Sequence, residues 1–471
     1  MVRYITFAII LQLFISCSNN NTNEQSPNVI FINIDDMGWN DVSFMGSQYY
    51  DTPNIDALAA DAMVFTQGYA ASANCAPSRA SINTGKWTTR HQIYTVSNSD
   101  RGASKDRKLI PIKNTTLLSK EFPVIAQKLK ASGYVTCHSG KWHLSKDPLK
   151  YGFDVNIAGG HQGAPGSYYP PYGNKNNRVD IQSKEGNYLT DVIMDQTLSF
   201  LDKVEEPFFL HYTPYAVHTP IHKVDSLMSK YVDKAPYKGQ KNPEYATMID
   251  NLDRNIGHLI KKLKDRNLFE NALIIFTSDN GGYYGKITKQ KPLRAGKGSY
   301  YEGGIRVPFF FHWKGKIPNG LNDKTPISHL DIFPTIMEAV GDHSMDNEFD
   351  GNSILNSLTN GTVVTERALF WHFPIYLQGY DIKENENRDS LFRTRPGSVV
   401  RKGDWKLHYY FEDNEVELYN LIEDVGEQND LSKINATKTN QLLNELKNWW
   451  VDTNAPIPTQ RNPDYVASKI N

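Results

Sequence analysis

Two apolar runs, each ending in acidic or amide residues, constrain this chain most. Residues 28–34 (NVIFINI) are continuous, apolar and rich in β-branched side chains, and they stop at Asp35-Asp36-Met37-Gly38. Residues 272–278 (ALIIFTS) form a second such run, which stops at Asp279-Asn280-Gly281-Gly282. Short apolar runs of this kind read as strands buried on both faces. Such strands belong to parallel sheets covered by helices, and ligands gather at the carboxyl ends of such sheets. Asp, Asn and Gly also favour turns, so either segment alone reads as a turn after a strand.

A third segment bears on the choice. Asn74-Cys75-Ala76-Pro77-Ser78-Arg79-Ala80-Ser81 is followed by Thr84-Gly85. By itself Cys75 reads equally as a buried thiol before a proline-initiated turn. Beside the two acidic strand ends it favours a site. Adjacent carboxylates repel unless a cation lies between them. Three carboxylates and an amide oxygen suit a hard divalent ion, calcium ahead of magnesium.

The Cys-x-Pro-x-Arg run resembles the signature of the type I sulfatases, whose cysteine is oxidised to formylglycine (3-oxoalanine). Gly140-Lys141-Trp142-His143 resembles the second signature of that family, and the 293–308 run around Lys297 resembles its last active-site loop. The resemblance extends from about Asn28 to the C-terminal region and keeps the family's order of motifs. It implies an alkaline-phosphatase-like fold and hydrolysis of a sulfate ester. Carried over by position, it implies metal ligation by Asp35, Asp36, Asp279, Asn280 and the modified Cys75. It implies that Arg79 and Lys141 hold the formylglycine hydrate, with His143 as base on its second hydroxyl. Lys297 and His218 would meet the sulfate, with His218 the acid for the leaving alcohol. A sulfatase-maturation enzyme acting on Cys75 is implied as a partner. His138 and His211 read as ordinary strand histidines, and His222 falls outside the site.

The remaining pattern is that of an α/β protein. Residues 133–138 and 208–212 read as further strands, and Thr52-Pro53 opens a helix as cap and first residue. Strands alternating with helices over 28–345 predict a large, mainly parallel sheet between helices. Residues 346–471 predict a C-terminal subdomain, a small antiparallel sheet built from 368–373, 397–401, 405–410 and 415–419. A helix over 441–451 follows, with Leu442, Leu443, Leu446, Trp449 and Trp450 on one face. In sulfatases this part leans over the pocket, so the 371–380 segment is expected at the rim with His372 reading substrate. Residues 168–173, rich in tyrosine, are a second expected rim.

The first 17 residues read as a secretion signal, with Ser16-Cys17 resembling a bacterial lipoprotein site. Residues 18–27 form a polar tether. Export to the periplasm or cell surface follows, with the membrane engaged only through lipid at Cys17. The three cysteines thus have separate fates, Cys137 being a buried strand thiol, and predict no disulfide framework. The formal net charge of -1 gives no sign of nucleic-acid binding. Export in a lipoprotein context points to a sulfated carbohydrate substrate and bacterial polysaccharide degradation. The competing readings are a phosphodiesterase or phosphonate monoester hydrolase of the same superfamily, and a non-catalytic glycan-binding lipoprotein.

Overall fold

The computed structural model describes residues 25–467 apart from 175, 323, 346–347, 363 and 380–385. The signal segment, Cys17 and Tyr380 lie outside the described residues. The first apolar run is the strand Asn28–Ile34, all seven residues buried. It lies inside an eight-stranded sheet between Ala272–Ser278 and Phe208–Thr213, parallel to both. Val135–Gly140 and Val155–Ile157 extend the sheet in parallel beyond Phe208–Thr213. On the other side Phe309–His312 runs antiparallel, and Met63–Phe65 and Gly320–Asn322 complete the edge.

Alternation along the central strand explains its continuous apolar sequence. Ile30, Ile32 and Ile34 enter one core, whereas Val29 and Phe31 enter another. Helices Leu189–Leu201 and Pro243–Asp265 supply apolar residues to the first core. Helices Cys75–Thr84, Ile125–Ala131 and Ile332–Ala339 supply the second. Both faces therefore leave water, which is why neither strand run shows polar alternation.

The C-terminal part holds a four-stranded antiparallel sheet of Ala368–Phe373, Gly397–Lys402, Trp405–Tyr410 and Val416–Asn420. Helix Ala436–Asp452 covers it through Leu442, Leu446, Trp449 and Trp450, which pack with Val400, Leu407 and Leu418. The helix starts five residues before the expected 441, capped by Asn435, whose Oδ1 accepts from the Lys438 amide. Helix Pro53–Ala60 has its proline at the first position after Thr52, as expected. No described helix is long and apolar enough to cross a membrane.

Candidate active site

Strand register assembles the site. Ile34 pairs with Ser278, so Asp35-Asp36 and Asp279-Asn280 leave the sheet side by side. Gly140 pairs with Thr213, which brings Lys141 to the same edge. Helix Cys75–Thr84 begins there, with Cys75 as its first residue and Arg79 one turn later. Cys75 Sγ lies 3.6 Å from Asp35 Oδ1 and 3.6 Å from Asp36 Oδ1. Asp36 adopts a left-handed φ of 61° and His143 one of 64°. Non-glycine residues held there cluster at functional sites.

Each carboxylate has its own cation. Lys141 Nζ donates to both oxygens of Asp35, at 2.8 and 2.7 Å. Lys297 Nζ donates to Asp36 Oδ2 at 2.6 Å. Arg79 Nε donates to Asp279 Oδ2 at 2.7 Å, and its Nη1 donates to Lys141 O at 2.7 Å and to Thr213 Oγ1. Burial raises the Asp35 carboxyl well above its usual range, against the pull of Lys141, and Asp279 and Cys75 push the same way. Burial also raises Asp36, but Lys297, His218 and Lys141 together outweigh it and hold that carboxyl below its usual range. Burial pushes the Cys75 thiol up despite Lys141 and Lys297, so the unmodified side chain is a poor nucleophile.

Several buried atoms at the site have no hydrogen-bond partner. They include Asn280 Oδ1, Arg79 Nη2 and His143 Nδ1. Asn280 Nδ2 is used, donating to Asp36 Oδ1 at 2.8 Å and to Gly281 O at 2.9 Å. Its orphaned oxygen beside three buried carboxylates fits a hard cation, because an unpaired buried acceptor is costly. Ligand atoms of Asp35, Asp36, Cys75 and His218 also lie within 4.8 Å of one another. Asp279 stands outside that group, with Oδ2 taken by Arg79 and Oδ1 accepting the Asp36 amide at 3.2 Å.

The two site histidines are held differently. His218 Nδ1 lies 2.6 Å from Thr219 O, which fixes the proton on that nitrogen and turns Nε2 inward, 3.5 Å from Asp36 Oδ2. Burial, then Lys297, lowers its pKa, while Asp36 and Asp35 raise it. Burial, Lys141 and Arg79 push His143 well below the usual histidine range. A neutral imidazole with a free Nδ1 is suited to accepting a proton.

Thus Asp35, Asp36, Cys75, Arg79, Lys141, His143, His218, Asp279, Asn280 and Lys297 come to one sheet edge. His372 does not join them. It is buried inside the antiparallel sheet, Nδ1 at 2.7 Å from Ser398 Oγ and Nε2 at 3.0 Å from Pro456 O. Both nitrogens are spent, so the ring has nothing to offer a sugar. The expected rim at 168–173 is also corrected in part. Tyr168 and Tyr172 are buried, and Tyr168 Oη donates to Tyr215 O at 2.6 Å and to His218 O at 2.9 Å. That hydroxyl braces the turn carrying His218. Cys137, His138 and His211 are buried in their strands, and His222 Nδ1 accepts from the Tyr168 amide at 3.2 Å. Thr213 and Tyr215 carry no motif of their own, and only the neighbouring strand end could have pointed to them, whereas Tyr168 lay in the segment expected at the rim and acts from beneath it instead.

A sheet edge that gathers buried acids, converging cations and an exceptional cysteine defines an alkaline-phosphatase-like enzyme for anionic esters. Comparison narrows the class. Residues 27–342 match the Sulfatase family model, and 296–454 match the C-terminal model of N-sulphoglucosamine sulphohydrolase. A sulfatase of Formosa agariphila is 31% identical across 96% of this chain and 94% of its own length. The N-acetylgalactosamine-6-sulfatase of Homo sapiens is 29% identical across 74% of this chain and 68% of its own. The crystal structure of Ps i-CgsB is 30% identical with a TM-score of 0.74, covering 93% of this chain and 95% of that one. A phosphonate monoester hydrolase of Agrobacterium radiobacter shares the fold at 19% identity and a TM-score of 0.64, over 91% of this chain and 96% of that one. The chain belongs to the sulfatase family and is a sulfatase.

Proposed function

We propose that this enzyme removes sulfate from a carbohydrate after Cys75 is oxidised to formylglycine by a maturation enzyme. The observation that carries the reading is Cys75 itself. Its thiol is buried and poorly acidic, yet it stands at a helix start among carboxylates, lysines and an arginine. Hydrated formylglycine would supply one hydroxyl to attack sulfur and a second whose deprotonation expels sulfate. Asp35, Asp36, Asp279, Asn280 and the modified Cys75 would hold a divalent cation, calcium ahead of magnesium, which when bound would stabilise charge on the sulfate oxygens.

The chain's own residues do the rest. Arg79 and Lys141 orient the hydroxyls at residue 75, and His143 Nδ1 takes the proton from the second. Lys297 meets sulfate oxygens as the S–O bond breaks. His218 Nε2 protonates the departing sugar oxygen. Its pKa rises when the sulfate anion enters beside it, as an opposite charge favours the imidazolium.

The carbohydrate assignment is supported by two comparisons. One relative is named an N-acetylgalactosamine-6-sulfatase, and Ps i-CgsB has been solved in complex with k-i-k-neocarrahexaose. The N-terminal signal pattern and Cys17 support export and lipid anchoring in a bacterial polysaccharide-degrading setting. Peptide mass spectrometry of active protein tests the nucleophile, and sulfate release from defined sulfated sugars tests the substrate. Full activity with an intact Cys75 thiol would overturn the mechanism.

A further inference from the structure

The glycine-rich loop 158–163 (AGGHQG) is fastened to both histidine segments of the site. The His143 amide donates to Gly160 O at 2.9 Å. Gln162 Nε2 donates to Tyr215 Oη at 2.9 Å, and that hydroxyl donates to Ala158 O at 3.0 Å. Tyr215 opens the turn of His218, whose amide donates to Tyr215 O at 3.0 Å. Gly163 approaches His143 so closely that a Cβ there would lie 2.5 Å from the imidazole. The loop is therefore a fixed wall between the two histidines.

His161 is the one exposed residue on that wall. Its ring centroid is 6.3 Å from that of His143, with the planes 66° apart. It is close enough to contribute to the lowered pKa of His143. An exposed polar ring on a mobile loop would be unremarkable. Here the backbone before it is pinned at Ala158 and Gly160 and the next side chain, Gln162, is tied to Tyr215, so the ring meets an incoming ligand with less conformational entropy left to lose. We propose that His161 is a specificity residue that hydrogen-bonds an oxygen of the departing sugar. His372, buried with both nitrogens spent, leaves that role open. This inference rests on the carbohydrate reading.

The test uses the full, matured enzyme and its His161→Ala and His161→Gln variants. Each is assayed on a turned-over sulfated oligosaccharide and on 4-nitrophenyl sulfate, which lacks the sugar. Loss of one substrate hydrogen bond is expected to lower kcat/KM on the sugar about tenfold more than on the aryl ester. The extra loss should appear mainly in KM, and His161→Gln should recover part of it. Equal losses on both esters would overturn the inference, because His161 would then act through His143. An unchanged sugar rate in His161→Ala would also overturn it, while leaving the sulfatase chemistry intact. A wild-type enzyme active on 4-nitrophenyl sulfate but inert to every sulfated sugar would overturn the inference and the carbohydrate reading together.

Discussion

His218 illustrates how neighbours assign a single side chain its task. Thr219 O holds the proton on Nδ1, so only Nε2 can carry a proton inward. If that proton goes to the sugar oxygen, His218→Ala should damage turnover of a sulfated sugar by about a hundred- to ten-thousandfold. Turnover of 4-nitrophenyl sulfate should fall much less, since nitrophenolate leaves without a proton. Equal losses would make His218 a sulfate-binding residue instead. Asp279 makes a second test at this scale. Asp279→Ala removes the partner of the buried Arg79 and one oxygen of the acidic cage. Activity should be lost, and elemental analysis of the wild-type enzyme should find calcium or magnesium that the variant fails to retain. Stoichiometric zinc in the active enzyme would contradict a hard-cation cage.

The loop that carries Lys297 is held from the C-terminal side. Arg393 Nη1 donates to Lys297 O at 3.1 Å. Glu302, just beyond, accepts from Lys406 Nζ at 2.9 Å, and Lys406 also lies 3.0 Å from Glu427 Oε1. Burial raises the Glu302 carboxyl, but Lys406, Arg306 and Arg401 outweigh it and bring it down to about 2. Lys406→Met should remove the cation shared by two buried carboxylates, leaving Glu302 to Arg306 and Glu427 to His408, and cost about 3 kcal/mol. Urea melts check the stability loss, and sulfate release should fall with it as the Lys297 loop loosens. A stable variant with full activity would mean that the cluster does not hold the loop. Such cross-element ties explain what was legible beforehand. Strand runs and motif residues were readable because each is contiguous in sequence and bounded by turn residues. Thr213, Tyr215 and His161 were not, because their roles come from register and loop anchoring. His372 was misplaced for a related reason. Trp371-His372-Phe373 looks like a rim segment, but both faces of its strand are covered: Trp371 and Phe373 enter one apolar cluster, while His372 on the other face meets Tyr94, Trp449 and Phe411. The first turn of helix Ala436–Asp452 was missed because Thr437, Lys438 and Asn440 carry no apolar period.

Across the whole molecule, buried histidines set the response to acid. Burial holds His91, His138 and His329 down to about 3 and His372 down to about 4. An unfolded histidine titrates near about 6.5. All four depressed groups therefore contribute stability that is complete above that value. As pH falls below it the unfolded chain takes up protons first, and each group loses about 1.4 kcal/mol per pH unit. Asp253 works in the opposite direction. Burial raises it to about 6, so below that pH the folded state binds the proton first and regains a similar amount per unit. His143, His211, His218 and His312 are held down as well, whereas Asp35, Asp41 and Asp56 are raised along with Asp253, so the depressed histidines outnumber the carboxyls that oppose them and the net effect of falling pH is a loss of stability. The Tm should therefore drop steeply between pH 7 and pH 5. His372→Asn should melt lower at pH 7, having lost the hydrogen bonds to Ser398 and Pro456, but its Tm should fall less steeply with acid. Parallel Tm-against-pH curves for wild type and His372→Asn would mean that His372 does not contribute to the acid response.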